Sequence, residues 1–239
     1  MKRLALILFI CATTTMVSAQ DYLGIQFGYA QPTTRLNSPT AKSTLTPTSY
    51  NGFKVGLLYE TTIVKGFGVT MGLNYTFGAN STDWKDIHEG YSTAQERFKT
   101  IYHQVELLVD WQYKFEIAKE TWLILYTGPT LQYGLDFKKT GYTRANVLSP
   151  EMKTDNVANL YNYKDANGDM SLKRINVTWG LGVGFQYDRY FLRGGYDWGL
   201  INPYKATQFN VVVGEGHPRT RGRFDQWQIK IGMYLWQSK

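Results

Sequence analysis

The stretch Ile101-Tyr102-His103-Gln104-Val105-Glu106-Leu107-Leu108-Val109-Asp110-Trp111-Gln112-Tyr113-Lys114-Phe115 decides the fold. Ile101, His103, Val105, Leu107, Val109, Trp111, Tyr113 and Phe115 share one face. Tyr102, Gln104, Glu106, Leu108, Asp110, Gln112 and Lys114 share the other. This period of two is that of a strand; a helix would repeat its apolar residues every three or four positions. The run outlasts the about five or six residues of an ordinary strand. It also exceeds the about nine to eleven that a tilted strand needs to cross a bilayer.

The same alternation recurs on both sides of this stretch. Upstream, Leu23, Ile25, Phe27 and Tyr29 face one way in the segment 23–30. Phe53, Val55, Leu57 and Tyr59 do so in 53–60, and Phe67, Val69, Met71, Leu73, Tyr75 and Phe77 in 67–78. Downstream, Leu123, Leu125, Thr127, Pro129, Leu131, Tyr133, Leu135 and Phe137 form a fifth outward series, and Ile175 to Tyr187 a sixth. A seventh strand runs from Tyr190 to about Trp198. The last places Trp227, Ile229, Ile231, Met233 and Leu235 outward, opposite Gln226, Gln228, Lys230, Gly232, Tyr234 and Trp236.

The connections alternate as regularly as the strands. Polar stretches at Gln31 to Tyr50, Ala79 to Thr100, Lys138 to Arg174 and Ile201 to Asp225 are long. The links at Val64-Lys65-Gly66, Glu116 to Thr121 and Asp188-Arg189 are short. Long loops at one end and short turns at the other are the habit of outer-membrane barrels. Together these features predict an all-β fold, an eight-stranded antiparallel transmembrane up-and-down β-barrel, with both termini at the periplasmic, short-turn end. The even strand number dictates that last point.

Aromatic residues gather at the predicted strand ends. Tyr29, Phe77, Tyr133, Phe137, Trp179, Trp198 and Trp227 fall toward the long loops. Tyr22, Trp111, Tyr113, Trp122, Tyr190 and Trp236 fall toward the short turns. Rings with one polar edge favour the two interfaces of a bilayer, so two girdles are expected.

The first residues carry an export signal: Lys2 and Arg3, an apolar run from Leu4 to Ala12, then Val17-Ser18-Ala19. Residues 1–19 read as a signal peptide cleaved before Gln20, and 20–239 as the barrel domain. Cys11 lies within the apolar run behind Ile10 and does not fit a lipoprotein signal. As the only cysteine of the chain, it leaves with the signal, so the mature domain has neither a disulfide nor a thiolate site. The formal charge of +7 falls to +5 once Lys2 and Arg3 are gone. A basic surface could suit anionic lipid headgroups; an exported chain rarely meets a nucleic-acid target, and the scatter of basic residues among acidic ones gives the net charge little weight.

Several segments resemble the PorT-type outer-membrane β-barrel proteins of Bacteroidota. They are Gln104-Val105-Glu106-Leu107-Leu108-Val109 with Trp111-Gln112-Tyr113, then Tyr126-Thr127-Gly128-Pro129 and Gly180-Leu181-Gly182-Val183-Gly184-Phe185. Tyr196-Asp197-Trp198-Gly199-Leu200 and Ile231-Gly232-Met233-Tyr234-Leu235-Trp236 complete the set. The resemblance spans roughly residues 20 to 236. It implies the same fold and location, and its namesake suggests an accessory part in type IX protein secretion.

Candidate chemistry is sparse. Asp165-Ala166-Asn167-Gly168-Asp169 suggests a calcium loop, but its sixth and twelfth positions hold Met170 and Asn176 in place of Gly and Glu. It reads as an Asn-Gly turn. A lipid A-modifying enzyme on this architecture would need a histidine beside a serine. Of His88, His103 and His217, only His103 falls on a strand, and Ser81 or Ser92 would have to meet it from a loop. Neither a metal nor a cofactor is expected.

The inward charges are more informative. Lys54, Glu60, Glu106, Asp110, Lys114, Asp136, Arg193, Asp197 and Lys230 would all face a lumen that eight strands leave only wide enough for side chains. A cross-lumen salt-bridge network that closes the barrel is expected. A second candidate is Arg219, Arg221 and Arg223 in the last loop, which could grip lipopolysaccharide phosphates. The resulting expectation is a non-enzymatic integral outer-membrane protein of a Gram-negative bacterium. Its extracellular loops would serve surface contacts or envelope assembly, with lipopolysaccharide and envelope or secretion proteins as partners.

Overall fold

The computed structural model describes residues 20–37, 48–89, 92–159, 161, 173–203 and 221–238. The predicted signal 1–19, the Asp165–Asp169 turn, His217 and Arg219 lie outside the described residues, as do the side chains of His88, Ser92 and Arg221. Eleven strands are described: β1 (Gln20–Asn37), β2 (Thr48–Ser49), β3 (Asn51–Val64), β4 (Phe67–Ser81), β5 (Lys85–Glu89), β6 (Ser92–Ala118), β7 (Thr121–Arg144), β8 (Met152–Asn159), β9 (Ile175–Tyr187), β10 (Tyr190–Gly199) and β11 (Arg221–Gln237).

Eight of them close a ring. β1 pairs β3, and each following long strand pairs the next, through β4, β6, β7, β9 and β10 to β11. β11 returns to β1 over an unbroken register from Leu36↔Gly222 to Gly24↔Tyr234. Every pairing is antiparallel, so the molecule is the expected up-and-down barrel. Closure leaves the eight-stranded wall without a free edge, the condition a sheet must meet in lipid.

The short connections are two-residue turns. Lys65-Gly66 takes positive φ at both positions, 38° and 87°, as a hairpin turn matched to strand twist requires. Gly66 is needed twice over, because a Cβ there would stand 2.4 Å from the Lys114 carbonyl oxygen. Glu120 and Asp188 also sit at positive φ, and the Asp188 N–H donates to Glu120 O at 2.8 Å, tying neighbouring turns together.

At the other end the strands outrun the span. β6 has 27 residues and β7 has 24, against about nine to eleven needed to cross. The stretches 92–100 and 138–144, read from sequence as loop, are therefore strand. With β5 and β8 they form a four-stranded sheet above the barrel, the crown. Likewise β1 continues to Asn37 and pairs β11 from Arg221.

Two bulges correct the sequence reading of side-chain direction. Between His103 and Gln104 the β6–β7 register skips Leu135. Because side chains alternate, one extra residue flips all that follow. Phe137, expected outward, turns in and is 4% exposed. Asp136, expected in the lumen, instead meets Lys138 at 2.6 Å and accepts from Asn159 Nδ2 at 2.6 Å on the flank of the wall. A second bulge at Leu235 turns Trp236 from the lumen to the outside. The girdles need one correction as well. The Trp111 and Trp179 rings lie 5.7 Å apart, so they cannot belong to two girdles on opposite edges of an apolar band about 25 Å tall.

The outer wall is apolar throughout: Phe53, Leu57, Leu181 and Ile231 are each more than half exposed, among many like them. A surface this apolar is far beyond what a protein in water tolerates. The interior is the polar side, where Gln26, Thr70, Asn74, Gln132 and Thr178 are buried among charged residues. This inversion, with a closed sheet, defines an integral membrane barrel.

Candidate functional site

Of the predicted lumen charges, all but Asp136 face inward. Lys54, Glu60, Glu106, Asp110, Arg193, Asp197 and Lys230 are all buried, and the Lys114 side chain is 7% exposed. Four cations thus face four anions. They fall into two clusters, because strand register sets each residue at its own depth.

The lower cluster centres on Glu60. Its carboxylate pairs with Lys114, accepts from Arg193 Nη2 at 2.8 Å and from the Tyr234 hydroxyl at 2.5 Å. Arg193 also donates to Gln112 Oε1 at 3.0 Å, which Thr70 Oγ1 reaches at 2.8 Å. Rings pack against these charges. Tyr22, Phe191, Tyr234 and Leu58 form one apolar group, and the Lys114 ammonium lies 4.8 Å from the Tyr22 ring centre. Below them a funnel of about 490 Å³ opens toward the short turns, lined in part by Tyr22, Lys114, Trp122 and Gln186.

The upper cluster centres on Glu106. Lys54 donates to it at 2.5 Å and to Gln228 Oε1 at 2.8 Å. Gln104 and Thr76 donate to the other carboxylate oxygen at 2.7 and 3.2 Å. Gln228 passes the chain on to Asp197 at 2.8 Å. Asp110 and Lys230 sit between the clusters and form no ion pair within 4 Å among the described residues. The inward charges thus form two hubs bridged by amides in place of one ladder of salt bridges.

Above the charges a second aromatic group caps the lumen: Tyr50, Tyr102, Phe137 and Tyr161. Tyr161 lies over Gly134, where any Cβ would collide with its ring at 2.1 Å. Its N–H is held by Asn159 Oδ1 at 3.0 Å and its ring lies under Arg174 at 5.3 Å. Burial pushes the Tyr161 phenol up to about 12, so it stays protonated at neutral pH. The pocket left at this mouth, between Phe137, Tyr161, Gln132 and Asn176, measures only about 30 Å³, which is room for about one water. Neither Tyr50 nor Tyr161 could be assigned from alternation, since both lie beyond the predicted strands. Phe137 was hidden by the bulge.

The remaining candidates fare differently. His103 meets the Tyr75 hydroxyl at 2.5 Å and the Phe77 ring at 5.1 Å. Ser81 donates elsewhere, to Thr82 O, and pairs Lys99 four residues along β6 from His103, so the structure does not bring His103 and Ser81 together. Arg223 is tied to Asp225 at 2.8 Å.

In the crown, cations lie on rings. Trp84 lies between Arg97 and Arg144, whose guanidinium carbons are 4.8 and 4.1 Å from its centre. Lys99 lies 4.6 Å from the Tyr142 ring. Arg97 clasps Glu151 with both carboxylate oxygens at 2.6 and 2.5 Å. Asn146 Oδ1 accepts from the Leu148 N–H and Ser149 hydroxyl at 3.0 and 2.9 Å and fixes the tip between β7 and β8.

A closed wall of eight strands, apolar outside and sealed by polar side chains within, defines an outer-membrane β-barrel of a Gram-negative bacterium. The chain belongs to the family described as "Outer membrane protein beta-barrel domain", which it matches over residues 18–204. No curated protein matches it. Among solved structures it is similar to Ail, the attachment invasion locus protein of Yersinia pestis, at 11% identity. That alignment covers 92% of this chain and 100% of Ail, with a TM-score of 0.35. Neisserial surface protein A aligns at 12% identity over 89% of this chain and 97% of its own, with a TM-score of 0.37. The N-terminal barrel of Pseudomonas aeruginosa OprF aligns at 9% identity over 87% and 97%, at 0.28.

Proposed function

We propose that this barrel is a closed, non-enzymatic scaffold that holds its crown outside the cell for surface contacts or envelope assembly. Export by the signal at 1–19 and both termini in the periplasm belong to this reading. The observation that carries it is the one-sided excess of strand. β6 and β7 run well past the span at the long-loop end, while three two-residue turns finish the other end flush. Material rigidly held beyond a membrane on one side is material for contact on that side. A place among PorT-type barrels is supported by the motifs at 104–113, 126–129 and 231–236. A role in type IX secretion rests on that resemblance, and a deletion strain that exports all its cargo normally would remove it.

Topology is testable with single cysteines, because Cys11 of the signal is the chain's only native one. Leu148, 96% exposed at the crown tip, will react as Leu148→Cys with a membrane-impermeant maleimide on intact cells. Lys119→Cys, in a short turn, will react only after the outer membrane is permeabilised. Labelling of Lys119→Cys on intact cells would invert the barrel and end this reading.

A further inference from the structure

Along β6 the outward series runs Trp111, Val109, Leu107, Val105, His103, Ile101 and then changes to Lys99 and Arg97. Lys99 stands one outward position beyond Ile101, about 7 Å along the strand. On β7 the bulge at Leu135 has a second consequence: it turns Lys138, Tyr142 and Arg144 to the same outward face. Without it the alternation would send them toward the lumen side. Lys138 pairs Ile101 across the ladder, Thr140 pairs Lys99 and Tyr142 pairs Arg97, so the cations of the two strands interleave. The outward face of a barrel just above its apolar band lies at the level of the lipid headgroups.

The state of these cations suits an external anion. Arg97 is committed to Glu151, and Lys138 shares the half-buried Asp136. Lys99 rests on the Tyr142 ring and Arg144 on Trp84, Gln95 Oε1 and the Val147 carbonyl; neither holds a carboxylate among the described residues. Stacking on a ring orients a cation without neutralising it. Arg144 keeps guanidinium N–H groups for an oxyanion, and Lys99 its ammonium.

We infer that Lys99, Lys138 and Arg144, set on Tyr142 and Trp84, form a binding strip for the phosphate groups of an outer-leaflet glycolipid, the lipopolysaccharide class. The strip differs from the arginines of the last loop: it is built on paired strands and lies where the wall leaves the bilayer. It gives the proposed surface role a lipid partner and rests on the crown being the outer end.

The experiment uses the refolded barrel in detergent, with binding of purified lipopolysaccharide followed by the rise in its unfolding temperature. Because detergent has no sidedness, the result is independent of the labelling experiment, and each reading can fail alone. The parent will be stabilised, less so at high salt. Lys99→Gln/Lys138→Gln/Arg144→Gln will bind more weakly, by about ten-fold for each cation removed from a phosphate. A control, Lys65→Gln/Lys119→Gln/Arg189→Gln, removes the same charge at the short-turn end and will bind like the parent. Dephosphorylated lipopolysaccharide will stabilise little. Four outcomes would each overturn the inference: equal binding by the crown variant with its fold intact; equal weakening in the control; equal stabilisation by the dephosphorylated lipid; or equal stabilisation by inorganic phosphate at the same phosphate concentration.

Discussion

Glu60→Gln will destabilise the barrel by about 3–5 kcal/mol, the cost of leaving buried charge without its partner. The amide keeps the shape of the carboxylate and removes only its charge. Lys114 and Arg193 then lose their shared counterion. Arg193 is 1% exposed and cannot turn to water; Gln112 and Tyr234 remain as neutral partners. Urea unfolding in lipid vesicles reads the loss. Adding Arg193→Met will restore part of it, since removing both charges of a buried pair costs less than removing one. Glu116→Gln, at an exposed strand end, will stay within about 0.5 kcal/mol of the parent. A Glu60→Gln barrel as stable as the Glu116→Gln control would mean that the hub is well hydrated and does not hold the lumen together.

Gly128→Val will cost about 3 kcal/mol, the upper range for overpacking, and will lower the yield of folded, heat-modifiable barrel. Pro129 has no N–H to give the ladder, and a proline is tolerated inside a sheet only where pairing is relaxed. Between Leu108↔Thr130 and Trp111↔Thr127 no partner pairs are made, and there the two chains come close. A Cβ on Gly128 would stand 2.0 Å from the Val109 carbonyl oxygen and 2.7 Å from Asp110 Cα. Both are backbone atoms and cannot swing aside. Gly194→Ala is the matched control, because its nearest neighbour, Gln228 O, is 3.9 Å away. If Gly128→Val folds as well as Gly194→Ala, the wall at this point is looser than described.

The wall was legible because lipid imposes a rule on every residue that touches it. In the 101–115 stretch the outward side chains are apolar or aromatic, and the inward ones, apart from Tyr102 and Leu108, are polar or charged. The two bulges obey no such rule. Nothing in Tyr133-Gly134-Leu135-Asp136-Phe137 announces that Leu135 is the extra residue, so Asp136 and Phe137 were placed on the wrong faces, and Trp236 followed for the same reason.

Inward charges could be identified from parity, but their partners could not. Lys54 meets residues 52 and 174 positions away, and only barrel closure brings them to one depth. Tyr50 and Tyr161, the cap, come from stretches whose composition signals loop. The crown was missed for a related reason: beyond the bilayer both faces of a strand meet water, so Lys138 to Arg144 lose the alternation that marks the wall.

In the proposed reading the barrel is sealed by its own side chains, with an aromatic group and a charged hub at each end of the lumen. Planar-bilayer recording of the purified protein tests this seal most directly. A silent membrane is expected over the usual voltage range, because the pocket beside Phe137 and Tyr161 at the upper mouth holds about one water and Tyr22, Phe191, Tyr234 and Leu58 pack together inside the lower end. Steady, voltage-independent conductance steps from the unmutated barrel would contradict it.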